Sequence, residues 1–335
     1  MNESPPSADL VTATRRGLFC KAGDFYIDPW LPVETAVITH AHGDHLRGGS
    51  ARYICTDAGE TVTRQRLSGD AYLETMSYGE SRSVGGVRIS LHPAGHILGS
   101  AQVRIEHDGV VWVVSGDYKR DADPTCAPFE VVPCDTFISE ATFALPAYRW
   151  PETHRVAREI FDWWQANKRA GLASILYAYA LGKAQRVLAE LTRFTSEPVY
   201  VHGAVASIVN AYRQCGVEML PTLPATVATK ADYAGALILA PPSAAGSTWI
   251  RRFGEASSGF CSGWMRVRGD RRRRGYDRGF VLSDHADWPS LLRTIRETRA
   301  PRVLLTHGYT DALCRFFQEQ GVAATALRTE YGGEE

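Results

Sequence analysis

The run Thr35-Ala-Val-Ile-Thr39 passes directly into His40-Ala-His42-Gly-Asp44-His45, and this stretch decides how the chain is read. The first five residues suit a buried strand, and the next six carry three histidines and an aspartate. His40 and His42, one residue apart at a strand end, can turn both imidazoles toward one cation. Gly43 is expected to let the backbone bend sharply, so that Asp44 and His45 face a second. Six residues thus supply halves of two sites about 3.5–4 Å apart, the spacing at which paired ions act together. The plainer alternative is a polar loop whose histidines cap or hydrogen-bond locally. Three more strand-like runs argue against it: 87 to 91 is followed by His96, 110 to 115 by Gly116-Asp117, and 301 to 306 by His307. Strand ends of a layered α/β sheet gather on one edge, where ligand sites form. Histidines and carboxylates in this number suit zinc, manganese or iron.

Composition limits the alternatives. The 335 residues are 44% hydrophobic and 22% charged, ordinary for a globular protein with chain enough for two substantial domains. Cys20, Cys55, Cys126, Cys134, Cys215, Cys261 and Cys314 form no C-x-x-C pair, which argues against a disulfide framework or zinc ribbon and fits a reducing cytoplasm. With no signal-like apolar start and no bilayer-length apolar window, the expectation is a cytoplasmic protein with no membrane partner. Lys plus Arg and Asp plus Glu balance at 37 each, so attraction to a polyanion must come from a local patch. Arg266, Arg268, Arg271, Arg272, Arg273, Arg274 and Arg278 form one. It reads either as a solvated loop or as phosphate contact. Trp249, Phe253, Trp264 and Tyr276 flank it, and aromatic faces beside arginines suit stacked bases, although aromatics also fill cores.

Apolar and amphipathic runs alternate as in layered α/β structure. Further strands are expected at 135 to 139 and 279 to 282, and a hairpin turn at His107-Asp108-Gly109. The middle reads as helix 152 to 169, strand 173 to 178, helix 182 to 194, strand 198 to 201, helix 204 to 214 and strand 235 to 240, a separate α/β unit inserted into the first. His202 precedes a helix start that could meet a phosphate, but reads more simply as a satisfied strand-end histidine. His92, His107 and His154 read as local hydrogen-bonding residues. Lys183 and Gln185 are explained as well by helix propensity as by substrate contact, and Ser262-Gly263 is a weak candidate for a substrate loop.

His40 to His45, His96, Asp117 and His307 together resemble the signature of the metallo-β-lactamase superfamily. Ser139-Glu140-Ala141-Thr142, Ser283-Asp284-His285-Ala286-Asp287 and Thr306-His307-Gly308 resemble the three motifs of its β-CASP branch, with about 140 residues between the first two, the size of an added domain. YALGKAQRVL, APPSA, SGWM and GFVLSDHADWPSLL resemble the bacterial ligase-associated DNA exonucleases over nearly the whole chain. The second motif carries aspartate before the histidine, where RNA-processing members usually have glycine. The resemblance implies an αββα sandwich of residues 1–145 and 284–335 with an inserted α/β domain at 146–283. It implies two divalent ions, zinc or alternatively manganese: His40, His42 and His96 on the first, Asp44, His45 and His307 on the second, Asp117 bridging. Asp44, Asp117, Glu140 and His285 would be catalytic, Glu140 orienting His285. The implied activity is exonucleolytic hydrolysis of single-stranded DNA, in repair beside an ATP-dependent ligase and a helicase. A β-CASP ribonuclease, a small-molecule metallo-hydrolase and an inactive binding scaffold are the alternatives.

Overall fold

A computed structural model describes residues 9–67, 71–226, 229–267 and 275–329. Its first sheet orders β1 (Val11–Thr14), β2 (Gly17–Cys20), β3 (Phe25–Ile27), β4 (Thr35–Val37), β5 (Arg52–Thr56) and β6 (Tyr72–Met76) as in sequence. A second sheet contains β7 (Ser81–Val84), β8 (Val87–Pro93), β9 (Ala101–His107), β10 (Val110–Val114), β11 (Thr136–Glu140), β18 (Arg302–Thr306) and β19 (Ala323–Ala326), in the order β19-β18-β11-β10-β9-β8-β7. The antiparallel pairs β8/β9 and β9/β10 leave β8 running the same way as β10, β11 and β18, so the four strands end on one rim. The turn at His107-Asp108-Gly109 is the expected hairpin, pairing His107 with Val110.

Alternation along the strands explains the layering. Val37, Ile54, Ile89, Val103, Trp112, Val114 and Ile138 meet in one core, which packs the two sheets face to face. Val113, Phe137, Val303 and Leu305 point the other way, onto α5 (Trp288–Thr298) and α6 (Thr310–Gln318). On the outer face of the first sheet, Ala36, Tyr53 and Cys55 meet Val62 of α1 (Glu60–Arg66) and Ile208 and Tyr212 of α4 (Gly203–Gln214).

The third sheet is parallel throughout: β12 (Ala173–Tyr177), β13 (Val199–Val201), β14 (Thr222–Pro224), β15 (Leu237–Ala240), β16 (Ala256–Cys261) and β17 (Arg278–Phe280), in the order β14-β13-β15-β12-β16-β17. Both faces of its centre are buried, which is why 173 to 177 is apolar but for Ser174 and 237 to 240 is apolar throughout. Helix α2 (Thr153–Arg169) buries Val156, Ile160, Trp164 and Asn167 at helical spacing, and α3 (Lys183–Leu191) is buried along its whole length. The strand expected at 279 to 282 ends at Phe280 and joins this third sheet through β16. The molecule is a mixed α/β structure of three sheets. No helix among the described residues is long and apolar enough to cross a membrane.

Candidate metal centre

The hexad begins just past β4. Ile38 N–H still pairs with Ile54 O at 2.8 Å, then Thr39 leaves the ladder and its N–H donates to Asp28 Oδ1 at 2.7 Å. The next turn closes through His45 and Leu46 N–H groups donating to His42 O at 3.1 and 2.8 Å. The turn expected at Gly43 is therefore present, and it forms without a left-handed φ at that residue. A Cβ there would stand 2.7 Å from the outer end of the exposed Arg66 side chain, which is free to move aside.

Strands of the second sheet deliver the remaining groups to the same place. His42 Nδ1 lies 3.1 Å from His40 Nε2 and 3.0 Å from His96 Nε2. Asp117 Oδ2 lies 3.5 Å from His40 Nε2, 3.8 Å from His96 Nε2 and 3.4 Å from His45 Nε2. His40, His42, His96 and Asp117 form one group able to hold a cation, and Asp44, His45 and His307 another, the donor atoms of each lying within 4.8 Å of one another. Asp117 Oδ2 borders both groups. A buried carboxylate oxygen is costly without a partner, and Asp117 Oδ1 has none among the described residues. Cations in these two groups would provide one, so the side chains fit the implied pair of ions.

Each imidazole has its second nitrogen engaged away from the centre, which fixes ring and tautomer. His45 Nδ1 meets Asp28 Oδ2 at 2.7 Å, His96 Nδ1 meets Asp284 O at 2.8 Å and His42 Nε2 meets Leu181 O at 3.2 Å. Thr39 and Thr306 hydroxyls lie 3.0 Å from His40 and His307 Nδ1. Burial, the largest cause, pushes His42 and His96 down to about 4, His40 well below its usual value, and His307 below it. These rings are therefore neutral, as ligands must be. Burial also opposes charge on His45, but Asp117 and then Asp28 outweigh it and hold its pKa well above the usual value. Burial would raise Asp117, yet His45 and His285 keep its carboxyl well below the ordinary range.

Beside this centre, Glu140 is the last residue of β11 and is 1% exposed. Its Oε1 accepts from Tyr118 N–H at 2.7 Å, while Oε2 accepts from the Thr142 hydroxyl at 2.6 Å and faces His285 Nδ1 at 2.8 Å. His285 lies against His96, ring centroids 4.7 Å apart, and Asp117, Glu140 and His285 form a further compact group.

Of the arginine patch, Arg266 and Arg278 are exposed, whereas Arg268, Arg271, Arg272, Arg273 and Arg274 lie outside the described residues. Among the flanking aromatics, Phe253 is buried against Trp249 and Tyr233, and Tyr276 stacks on Phe260 at 5.1 Å. Those three rings pack mainly with other rings. Trp264 lies 4.7 Å from Phe143, which itself lies 5.9 Å from His285, so this aromatic does border the site. His202 caps α4 by accepting from Ala204 N–H at 3.1 Å, the plainer of its two readings. His92, His107 and His154 have local partners. Ser262 accepts from Trp264 N–H at the start of a 3-10 turn. Lys183 and Gln185 are buried in the first turn of α3, Gln185 holding the turn before it through Gly182 N–H and Ala180 O.

The sequence reading missed Asp28. It carried the same signal as the chosen ligands, an acid at the end of an apolar strand, in Phe25-Tyr-Ile-Asp28. It sits in the left-handed region at φ 43° and is 1% exposed.

No family model matches the chain. It is 29% identical to a protein named probable DNA ligase from Opitutus terrae, over 93% of this chain and 30% of that one. It is 28% identical to cleavage and polyadenylation specificity factor 73 of Drosophila melanogaster, over 64% of this chain and 34% of that one. With endoribonuclease YSH1 of Eremothecium gossypii it shares 26% over 50% of this chain and 21% of that one. These relatives carry nuclease, cleavage-factor and ligase names. The chain spans about a third or less of the length of each of the three.

Proposed function

We propose that the chain is a β-CASP nuclease of the metallo-β-lactamase fold, with residues 1–145 and 284–335 as the lactamase-type domain and 146–283 as the inserted one. Its reaction is metal-dependent hydrolysis of phosphodiester bonds, removing nucleotides from single-stranded DNA ends in repair beside a ligase and a helicase. One observation carries the reading: two cation-holding groups meet at Asp117, with the Glu140–His285 pair alongside. A small-molecule hydrolase has no need of that pair. The match to a ligase-named protein over 93% of this chain supports DNA and a repair setting. The endoribonuclease name of a relative supports RNA as the second reading.

His40, His42 and His96 would hold one ion, Asp44, His45 and His307 the other, with Asp117 between them. When bound, such ions supply Lewis acidity to a phosphoryl oxygen and bring the pKa of water down toward about 7. The chain's own residues do the rest. Leu181 and Asp284 hold the tautomers of His42 and His96 that leave lone pairs toward the centre, and Asp28 holds the ring of His45 by Nδ1. Glu140 keeps the proton of His285 on Nδ1 and turns Nε2 inward. From there Nε2, when it too carries a proton, would donate to a phosphate oxygen or to the departing oxygen. Arg266 and its neighbours in sequence would bind backbone phosphate, a 5′-terminal one included.

The test is an assay of end-labelled single strands of DNA and RNA of one sequence, with and without 5′-phosphate, in zinc, manganese or magnesium. Metal-dependent release of nucleotides from DNA, faster than from RNA, is expected. Faster cleavage of RNA would establish the second reading, and no cleavage of either in any metal would defeat both.

A further inference from the structure

Behind the first histidine group lies a set of buried charges that no step above uses. Lys183 Nζ is 3.3 Å from Asp284 Oδ2 and Arg186 Nη1 is 3.5 Å from Asp284 Oδ1. Arg186 also donates from Nη1 to Ser283 O at 2.6 Å and from Nη2 to Thr153 Oγ1 at 2.5 Å, and its Nε is 3.2 Å from Asp123 Oδ2. Lys119 Nζ approaches the same Asp123 oxygen at 3.3 Å. Lys183, Arg186, Asp284 and Lys119 are at most 2% exposed. Buried ion sets of this kind add little stability over apolar side chains of equal size, so their presence calls for another reason.

The reason is in what these charges hold. Segment 283–285 is gripped twice by α3, at the Ser283 carbonyl and at the Asp284 carboxylate. The Asp284 carbonyl is in turn the group that fixes His96 Nδ1 at 2.8 Å. The same helix begins two residues after Leu181, whose carbonyl faces His42 Nε2 at 3.2 Å. Two of the three histidines of the first group are therefore oriented by carbonyls that α3 anchors. The second group differs: His45 is oriented by Asp28 and His307 by Thr306.

We infer that Asp284, clamped by Lys183 and Arg186, is a positioning residue for His96, which makes α3 of the third-sheet unit a working part of the first cation site and not of the second. The inference rests on the two-cation reading proposed above. Loosening the clamp frees segment 283–284 to shift, and His96 loses the partner that holds its tautomer. Loss of such an outer partner costs about 10- to 100-fold in metal affinity.

The experiment is titration of the whole metal-free chain with cobalt(II), followed by visible absorption and calorimetry, in the parent and in Asp284→Asn and Lys183→Met. Both variants keep the backbone carbonyl. The expected result is two affinities in the parent, one of which falls about 10- to 100-fold in each variant while the other stays within about twofold. Lys183→Arg should restore the lost affinity. Unchanged affinities, or an equal fall in both with a parallel loss of thermal stability, would overturn the inference. Ring-nitrogen NMR of the metal-free proteins separates this from failure of the two-cation reading. A parent that binds no cobalt defeats that reading, while the clamp still predicts His96 protonated on Nδ1 in the parent and mixed between tautomers in both variants. An unmixed His96 in the variants would refute the clamp by itself.

Discussion

Five histidines at this centre are each fixed through the nitrogen that faces away from it, by Thr39, Leu181, Asp28, Asp284 and Thr306. The donor set is therefore shaped before any cation arrives, apart from one ring. His45 is raised well above its ordinary pKa, so at neutral pH it carries a proton that a cation must displace. Zinc added to the metal-free chain at pH 7 should release about one proton per chain from this ring, read as a dependence of the binding heat on buffer ionisation. The release should disappear at a pH above the raised value and in His45→Ala. The neighbouring pair acts differently. In Glu140→Gln the cations should stay while the rate falls about 100- to 10,000-fold, the usual contribution of a general acid. A Gln variant with full rate would remove Glu140 from the mechanism.

At the scale of elements, the C-terminal ends of β8, β10, β11 and β18 share one rim, and the turns leaving them aim the side chains. The turn after β18 is closely packed. His307 and Gly308 have φ of 59° and 58°, and a Cβ on Gly308 would meet the Ala141 carbonyl oxygen at 2.5 Å. Gly308→Ala should thus cost at least about 1 kcal/mol by urea unfolding, from left-handed strain before any clash is counted. It should also weaken the cation held by His307. Elements with both faces buried were legible in the sequence, since runs such as 110 to 115 and 235 to 240 need no partner to reveal them. Short edge strands were not. Val11–Thr14 and Ser81–Val84 expose half or more of their residues, and their pairing depends on neighbours that no local pattern announces.

For the whole molecule, the side chains that gather at the candidate centre could be picked out because several distant strand ends finished in the same residue types. That the turn at Gly43 forms without a left-handed φ was not visible, because backbone angles cannot be seen from spacing. The charges that join α3 to segment 283–285 were invisible for a similar reason: Lys183 and Arg186 in a helix look like surface residues until the sheet around them is built. The aromatics beside the arginine run illustrate the converse, since Phe253 and Tyr276 pack against other rings while Trp264 packs on Phe143, the neighbour of His285. A chain with no net charge still gathers the groups proposed as catalytic and cation-holding where two sheets and a third-sheet unit meet. The central claim is that this meeting point holds two cations around Asp117. Its most direct measurement is the metal content of the purified chain after dialysis against zinc, by plasma mass spectrometry, in the parent and in Asp117→Ala. The account predicts two zinc ions per parent chain and a clear loss in the variant with the fold retained. A parent that binds none, or a variant that keeps both, would contradict it.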